Sequence, residues 1–435
     1  MSPPFRTPES ATNPVSGEFP NLDGVASATG LRLHSVFQSI FSASHSKVVG
    51  HEALLRGSDG VQTLSPGELF PRLVSRLGSD QVNELTVRLH LEQFAAQNRD
   101  GWLFLNVSPD SLGSRNEVTR RFGEWLSLAG IPAHRLVVEI VETRSVDERR
   151  LADAVHGYRD LGCLVAIDDF GAGESNFERV WRLRPDLVKL DRAMLEEATA
   201  NPLVRHILPG IVSLVHEAGC LVVLEGIETE EQALLALESD VDFVQGFHFS
   251  RPSIVAPEPE TMRSAFTRLD RELKRSLSQR TEQDRGFFES YMSGFDSCMR
   301  ALERNVALRE ASASFLGLAG VQRMYVLDHE GRQVSDNVEA RDSQRPPDPR
   351  FDPCSDGTGA NWYRRPYFQR AIQAPHVVQI SRPYLSIRDA RTCVTLSIAF
   401  QSSAGDTRVL CADLDYDPDE PFSRRHSHSL IPRSA

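Results

Sequence analysis

The sequence has no long apolar run. None approaches the roughly 18 residues that a membrane-spanning helix needs, so no membrane span is expected. It also lacks a basic excess. Its 48 Lys and Arg stand against 60 Asp and Glu, a net charge of −12, which argues against a general nucleic-acid-binding surface. A small anionic ligand held by a few basic groups and metal ions remains compatible with that balance. The six cysteines (Cys163, Cys220, Cys298, Cys354, Cys393, Cys411) show no Cys-x-x-Cys spacing, and most sit in apolar, strand-like contexts. Buried free thiols in a reducing compartment are therefore expected, rather than a zinc or disulfide site. The first residues carry Pro, Ser, Thr and acidic groups without a hydrophobic core, unlike a signal peptide. The expected location is cytoplasmic.

What is present is an ordinary globular composition: 40% hydrophobic and 25% charged over 435 residues, enough for two or three domains. The stretch Leu164-Val-Ala-Ile-Asp168-Asp169-Phe-Gly171-Ala-Gly173 organises the rest. Its β-favouring run reads as a buried strand that stops at two adjacent carboxylates. Neighbouring strand residues point to opposite faces, but a strand end twisting into a glycine turn lets both reach one opening. Oxygen-only ligands of this kind suit magnesium or manganese.

Residues 1–27 read as disordered. Leu33–Phe41 and Lys47–Arg56 form an expected hairpin, with Glu52 a charge inside the second strand. Alternation follows. Helices are expected at about 80–98, 118–128, 147–161, 177–183, 203–218 and 230–238. Strands are expected at Trp102–Val107, Leu136–Glu142, Leu164–Asp169, Leu187–Asp191, Leu221–Glu228 and Phe243–Phe247. Repeated strand–helix units imply a parallel sheet, and 28–256 fits one barrel of eight strands, with a doubly wound open sheet as the alternative. Nearly every strand ends on a polar residue: Glu52, Asn106, Glu139, Asp168, Lys189, Glu225, Gln245. In a parallel barrel those ends meet at one mouth, and six oxygen ligands with one lysine suit divalent-metal phosphoryl transfer.

These blocks resemble the EAL family of cyclic-di-GMP phosphodiesterases. Glu52-Ala53-Leu54 is the naming motif. Asn-Val-Ser, Glu-Ile-Val-Glu, Asp-Asp-Phe-Gly, Lys-Leu-Asp, Glu-Gly-Ile-Glu and Gln-Gly-Phe follow in the family's order, over about 28–252. The resemblance implies a TIM-like (β/α)8 barrel that binds cyclic-di-GMP across its mouth, where two Mg2+ or Mn2+ ions activate a water to give linear pGpG. By the same resemblance Glu52, Asn106, Glu139 and Asp168 hold the first metal, and Asp168 bridges to a second held with Asp169 and Glu225. Lys189 contacts the attacking water or the phosphate. Arg56 and Gln245 face the substrate, and Glu142, Asp191 and Glu228 are supports. One departure stands out. Gly171-Ala-Gly173-Glu174-Ser175-Asn176 replaces the family's usual Gly-Thr-Gly-Tyr/Phe-Ser-Ser. It keeps open a second reading, a cyclic-di-GMP receptor that hydrolyses poorly. A general metallonuclease is a remote third, disfavoured by the net charge. The chain carries no GG(D/E)EF signature of a diguanylate cyclase.

After the barrel, 257–320 reads as a helical connector. Phe288, Tyr291, Phe295, Cys298, Leu302 and Val306 line one helix face, suited either to packing on the chain's own domains or to a homodimer. Residues 321–417 read as an α+β module, opening with a hairpin of Val321–Leu327 and Arg332–Ser335. Strands at Val377–Ser381, Thr392–Gln401 and Arg408–Asp415 follow. Its Trp362–Phe368, Ser381–Tyr384 and Ala412–Asp415 pieces resemble Cache/PAS-like sensor domains of the YkuI C-terminal type. That resemblance implies a pocket for an unidentified small ligand at Arg365, Tyr367, Tyr384 and Asp413. Residues 418–435 read as a disordered tail.

Overall fold

The structure is a computed structural model that describes residues 29–107, 114–141, 148–172, 177–255, 259–340, 357–386 and 391–416, with the side chains of 141, 259–263 and 280–290 undescribed. The expectations for 1–27, Glu142, residues 173–176, Phe288, Cys354 and 418–435 lie outside what it describes. The chain divides into two compact units between Lys274 and Arg275.

The first unit is a closed barrel of eight strands: β1 Arg32–Ser42, β2 Lys47–Ser58, β3 Trp102–Val107, β4 Leu136–Val141, β5 Leu164–Phe170, β6 Leu187–Leu190, β7 Leu221–Leu224 and β8 Phe243–Val244. Strands β2 to β8 run parallel in order, and β1 closes the ring antiparallel to both β2 and β8. The closed ring excludes the open-sheet alternative, and the antiparallel β1 is the expected hairpin strand. Its short Ser-Ala-Ser-His-Ser link cannot make the crossover a parallel neighbour needs.

Strand alternation builds the interior in layers. Ile40, Phe104, Val137, Ala166, Leu187, Val223 and Phe243 form one buried apolar cluster across seven strands. Two residues further along six of those strands come Asn106, Glu139, Asp168, Lys189, Glu225 and Gln245, and Glu52 follows Gly50 by the same step. With a side-chain period of two, each polar residue inherits the interior direction of the apolar one before it. Gly50 is required where it stands: a Cβ there would lie 2.7 Å from the Phe104 ring. A second, larger core packs the outer faces of the strands against the surrounding helices.

The helices fall within a few residues of expectation, at Ser79–Ala96, Arg115–Ala129, Glu148–Leu161, Phe177–Leu183, Pro202–Glu217 and Glu230–Glu238. Two more were not anticipated. Pro66–Leu77 starts at a Ser65/Glu68 capping box, and Arg192–Ala200 starts at Asp191, whose carboxylate accepts from Ala193 N at 2.8 Å. Helix Pro259–Glu303 follows the barrel, and Phe266 and Leu269 on it are buried in the first unit.

The second unit is built on an antiparallel sheet whose long strands are β9 Val321–Asp328, β10 Thr392–Gln401 and β11 Thr407–Asp415, with β11 in the middle. Short strands Val338–Glu339, Gln379–Ile380 and Tyr384–Leu385 flank them. The expected return strand at Arg332–Ser335 is a correction. Asp328 accepts backbone bonds and a single bridge joins Leu327 to Gln333, while the ladder forms later, at Val338–Glu339. One sheet face is apolar and packs Tyr291, Phe295, Cys298 and Met299 of the long helix, with Leu302 against them. The expected apolar helix face is therefore spent, at these positions, on the second unit's own core. The other face carries helix Pro366–Gln373, with Tyr367, Phe368 and Ala371 buried.

Candidate active site

The mouth of the barrel gathers ionisable groups that sequence alone spreads over nearly 200 residues. Lys189 Nζ lies 2.5 Å from Glu139 Oε1, 2.5 Å from Glu225 Oε1, 2.9 Å from Asp168 Oδ1 and 3.9 Å from Glu52 Oε2. Lys189 and Glu139 are fully buried. Lys189 is thus the charge partner shared by Glu139, Glu225 and Asp168, and Glu139 Oε2 makes no hydrogen bond among the described residues. Carboxylate oxygens of Glu139, Asp168 and Glu225 lie within 4.8 Å of one another.

Electrostatics follows from that crowding. Burial pushes the Glu139 carboxyl well above the usual carboxylate range; Lys189 opposes the rise and the neighbouring carboxylates add to it. Glu225 is pushed up to about 8, first by burial and then by Asp168 and Glu52 against the pull of Lys189. For Lys189 burial favours the neutral amine, but Asp168, Glu139, Glu225 and Glu52 together outweigh it and hold the ammonium well above its ordinary value. In the metal-free site these four carboxylates therefore favour the ammonium form of Lys189.

Glu52 differs from its neighbours. It stands inside β2, as the expected Lys47–Arg56 strand has it, rather than at the strand's end. The strand runs on to Ser58 because β1 and the two-residue strand Thr63–Leu64 continue to pair with it. The parallel pairing with β3 stops at Glu52 opposite Phe104, so Glu52 still marks the mouth. Both its oxygens are taken: Asn106 Nδ2 donates to Oε1 at 2.9 Å and Gln245 Nε2 donates to Oε2 at 2.6 Å.

Asp169 reaches the mouth by a backbone device. Between Ile167 and Phe170, β5 spends one residue more than β6 does between Val188 and Leu190, a bulge, and Asp169 sits at φ +56°. Aspartate tolerates the left-handed region better than most residues. The next turn needs Gly171, where a Cβ would lie 2.5 Å from Met194 Cε. Half-buried Asp169 has its carboxyl pushed up to about 6 by burial, then by Asp168 and Asp191. It lies beside the Lys189 contacts, not among them.

Arg56 shares the Glu52 face of β2 by strand alternation. Its guanidinium donates to Leu55 O at 2.9 Å and has no carboxylate partner among the described residues. Burial lowers its pKa, and Glu52 counters. Of the expected supports, Asp191 caps helix Arg192–Ala200, while Glu228 accepts from Arg192 Nη1 at 2.6 Å, outside the cluster. Two neighbours were missed. Gln38 stands opposite Glu52 on β1 and donates to Ser250 O at 3.2 Å. Its signal was a lone amide in an apolar strand. Arg192 lies against Gly226, where a Cβ would meet its Cβ at 2.4 Å; nothing local in the sequence reveals that contact.

In the second unit Tyr367, Tyr384 and Asp413 do come together. Asp413 Oδ2 accepts from Arg323 Nε at 2.7 Å, and Oδ1 from Thr395 Oγ1 at 2.8 Å, with Tyr325 and Tyr384 hydroxyls at 3.5 Å. Tyr325 and Tyr367 hydroxyls are 3.3 Å apart. Arg365 sits at the edge, its guanidinium 5.3 Å from the Tyr384 ring centre and 5.8 Å from that of Trp362.

The sequence pattern of the EAL domain matches residues 26–252, the whole barrel. The chain belongs to the EAL domain family. An EAL-domain containing protein, YkuI of Bacillus subtilis, is 26% identical over 351 residues, which cover 77% of this chain and 83% of YkuI. The Escherichia coli cyclic di-GMP phosphodiesterase PdeF is 29% identical over 210 residues, 47% of this chain but only 28% of PdeF. The Pseudomonas aeruginosa cyclic di-GMP phosphodiesterase RocR is 32% identical over 152 residues, 34% of this chain and 38% of RocR. Among solved structures, YkuI in complex with the substrate c-di-GMP and calcium aligns with a TM-score of 0.71 at 24% identity, over 88% of this chain and 96% of that one. That likeness extends the shared fold across both units. No described helix is long and apolar enough to cross a membrane.

Proposed function

We propose that the chain hydrolyses cyclic-di-GMP to linear pGpG with two Mg2+ or Mn2+ ions at the barrel mouth. The observation that carries this reading is the set of buried carboxylates of Glu139, Asp168 and Glu225, whose oxygens lie within 4.8 Å of one another and share the single ammonium of Lys189. Several buried carboxylates sharing one ammonium are costly, and oxygen donors in this number suit hard divalent cations. Were Glu52, Glu139, Asp168, Asp169 and Glu225 all ionised against Lys189, four net negative charges would remain, which two divalent cations would balance. Glu52, Asn106, Glu139 and Asp168 would hold one, and Asp168, Asp169 and Glu225 the other. When bound, such ions supply a nucleophilic water near neutral pH and neutralise charge on the phosphoryl oxygens.

The chain's own residues do the rest. Lys189 donates to the attacking water or to the phosphate. Arg56, without a carboxylate partner among the described residues, is placed to meet a phosphate by charge-assisted hydrogen bonds. The water oxygen bonds to phosphorus, the P–O3′ bond breaks, and the departing 3′ oxygen takes a proton, so one water is consumed per pGpG. The second unit is proposed as a sensing module, with Arg365 and Tyr384 at the outer edge of its polar face as the ligand contacts. The test is the purified chain with cyclic-di-GMP and Mg2+ or Mn2+, analysed by chromatography. We expect pGpG to accumulate and excess EDTA to abolish it. Tight binding of cyclic-di-GMP without pGpG would establish the receptor reading instead.

A further inference from the structure

Among the described residues of the mouth, Gln245 carries a buried amide oxygen that has no hydrogen-bond partner. Its side chain is 3% exposed, its Nε2 is committed to Glu52 Oε2 at 2.6 Å, and its Oε1 is buried and unpartnered. The amide cannot be turned round, since that would set its oxygen 2.6 Å from a carboxylate oxygen. The backbone is fixed as well: Gln245 N donates to Leu224 O at 3.0 Å, and Ile227 N donates to Gln245 O at 3.1 Å. Gly246 permits that approach, because a Cβ there would lie 2.0 Å from Ile227 O. Asn106 makes the matching bond to the other Glu52 oxygen. Glu52 is thus oriented mainly by two neutral amides, with the Lys189 ammonium 3.9 Å away.

We propose that Gln245 is a two-ended positioning residue. Its amino group fixes the Glu52 carboxylate, and its buried, unpartnered oxygen accepts a hydrogen bond from the water that attacks the phosphodiester. An amide suits both tasks, because it brings one donor and one acceptor in fixed opposition without adding to the negative charge. A carboxylate at the same place would repel Glu52. A merely substrate-lining glutamine needs neither the bond to Glu52 nor the buried acceptor. The inference rests on the metal-dependent reading above.

The experiment compares the full-length protein with Gln245→Met, Glu52→Ala and the double variant. Mn2+ binding is measured by calorimetry, and kcat and KM for cyclic-di-GMP are measured separately. Gln245→Asn serves if Gln245→Met does not fold. The expected result is Mn2+ affinity lowered on the order of tenfold in Gln245→Met, the range for groups that orient metal ligands. In addition kcat falls more than KM rises, and Gln245→Met changes Mn2+ affinity no further in the Glu52→Ala background. Unchanged Mn2+ affinity in Gln245→Met with a raised KM alone would overturn the positioning role and leave the hydrolase reading standing. So would additive losses in the double variant. Unchanged Mn2+ binding in Glu52→Ala would instead overturn the metal reading on which it rests.

Discussion

Each unit buries charge on the inner face of a sheet, and the two do it in opposite ways. In the second unit Asp413 meets one guanidinium, Arg323, and Thr395 adds a donor to its other oxygen. Charge is balanced one for one, and both carboxylate oxygens are satisfied. At the barrel mouth several carboxylates crowd one lysine, and Glu139 Oε2 has no hydrogen-bond partner among the described residues. A folded chain meets the cost of buried charge by pairing it, as at Asp413, or by binding something that pairs it. The contrast separates a network that holds a fold from one that is completed by cations.

The largest expected effect breaks the crowded side. Asp168→Ala removes a carboxylate shared by both proposed cation positions, and pGpG formation should drop by at least about a thousandfold, the scale of losing an essential charge-stabilising group. Near-normal turnover would contradict the assignment. The balanced side should respond in stability. Arg323→Ala leaves Asp413 buried without its charge partner and should cost roughly 3–5 kcal/mol of unfolding free energy, whether or not Mg2+ is present. Lys189→Met should also destabilise the metal-free chain, but Mg2+ should restore much of that loss, since cations can replace the ammonium. Denaturant titrations of both variants with and without Mg2+ check the difference.

Protons sharpen the comparison further. Glu225, at about 8, has a folded-state pKa above its unfolded value. Its contribution to metal-free stability is full below the unfolded value near 4.3 and is lost as pH rises through about 8. The cations bind the deprotonated form, so Mg2+ affinity should rise with pH, by up to about tenfold per unit until near pH 8. Calorimetry across pH 6 to 9 should show that rise, with protons released on binding. Two buried imidazoles work the other way. Burial first, then Arg99 and Arg135, lower His51 to about 4, and burial, then Arg56, lowers His90 to about 3. Their stabilisation is full above about 6.5 and is lost as pH falls toward those values. Hydrogen exchange should therefore show the barrel loosening in acid before the second unit, whose described histidines, His329 and His376, are exposed. The smallest effect belongs to Arg56→Ala, which removes one charge-assisted contact and should weaken cyclic-di-GMP binding about tenfold with little loss of metal. Equal loss of metal affinity would place Arg56 in the cation site instead.

Much of the barrel was legible because its signal is local. A polar residue closing an apolar strand, repeated seven times, gave the mouth, and strand alternation explains why those residues converge. What stayed hidden depends on neighbours distant in sequence. The Asp169 bulge exists only relative to β6, and the contact of Gly171 with Met194 needs the helix after Lys189 in place. Glu52 marks the mouth because its parallel pairing with β3 stops at Phe104, although β1 carries the strand six residues further, to Ser58. In the second unit long strands were plain from composition. The pairing of Arg323 with Asp413 was not, because 90 residues separate them and only the β9–β11 register brings them side by side.

The most direct test of the contrast is Mn2+ binding to the metal-free full-length protein, followed by calorimetry for the wild type, Asp168→Asn and Asp413→Asn. The account predicts about two Mn2+ per wild-type chain, the number a paired-cation hydrolase site holds. Asp413→Asn should keep that stoichiometry, and Asp168→Asn should lose at least one ion. Wild-type stoichiometry and affinity in Asp168→Asn, or no specific Mn2+ binding to the wild type, would contradict it.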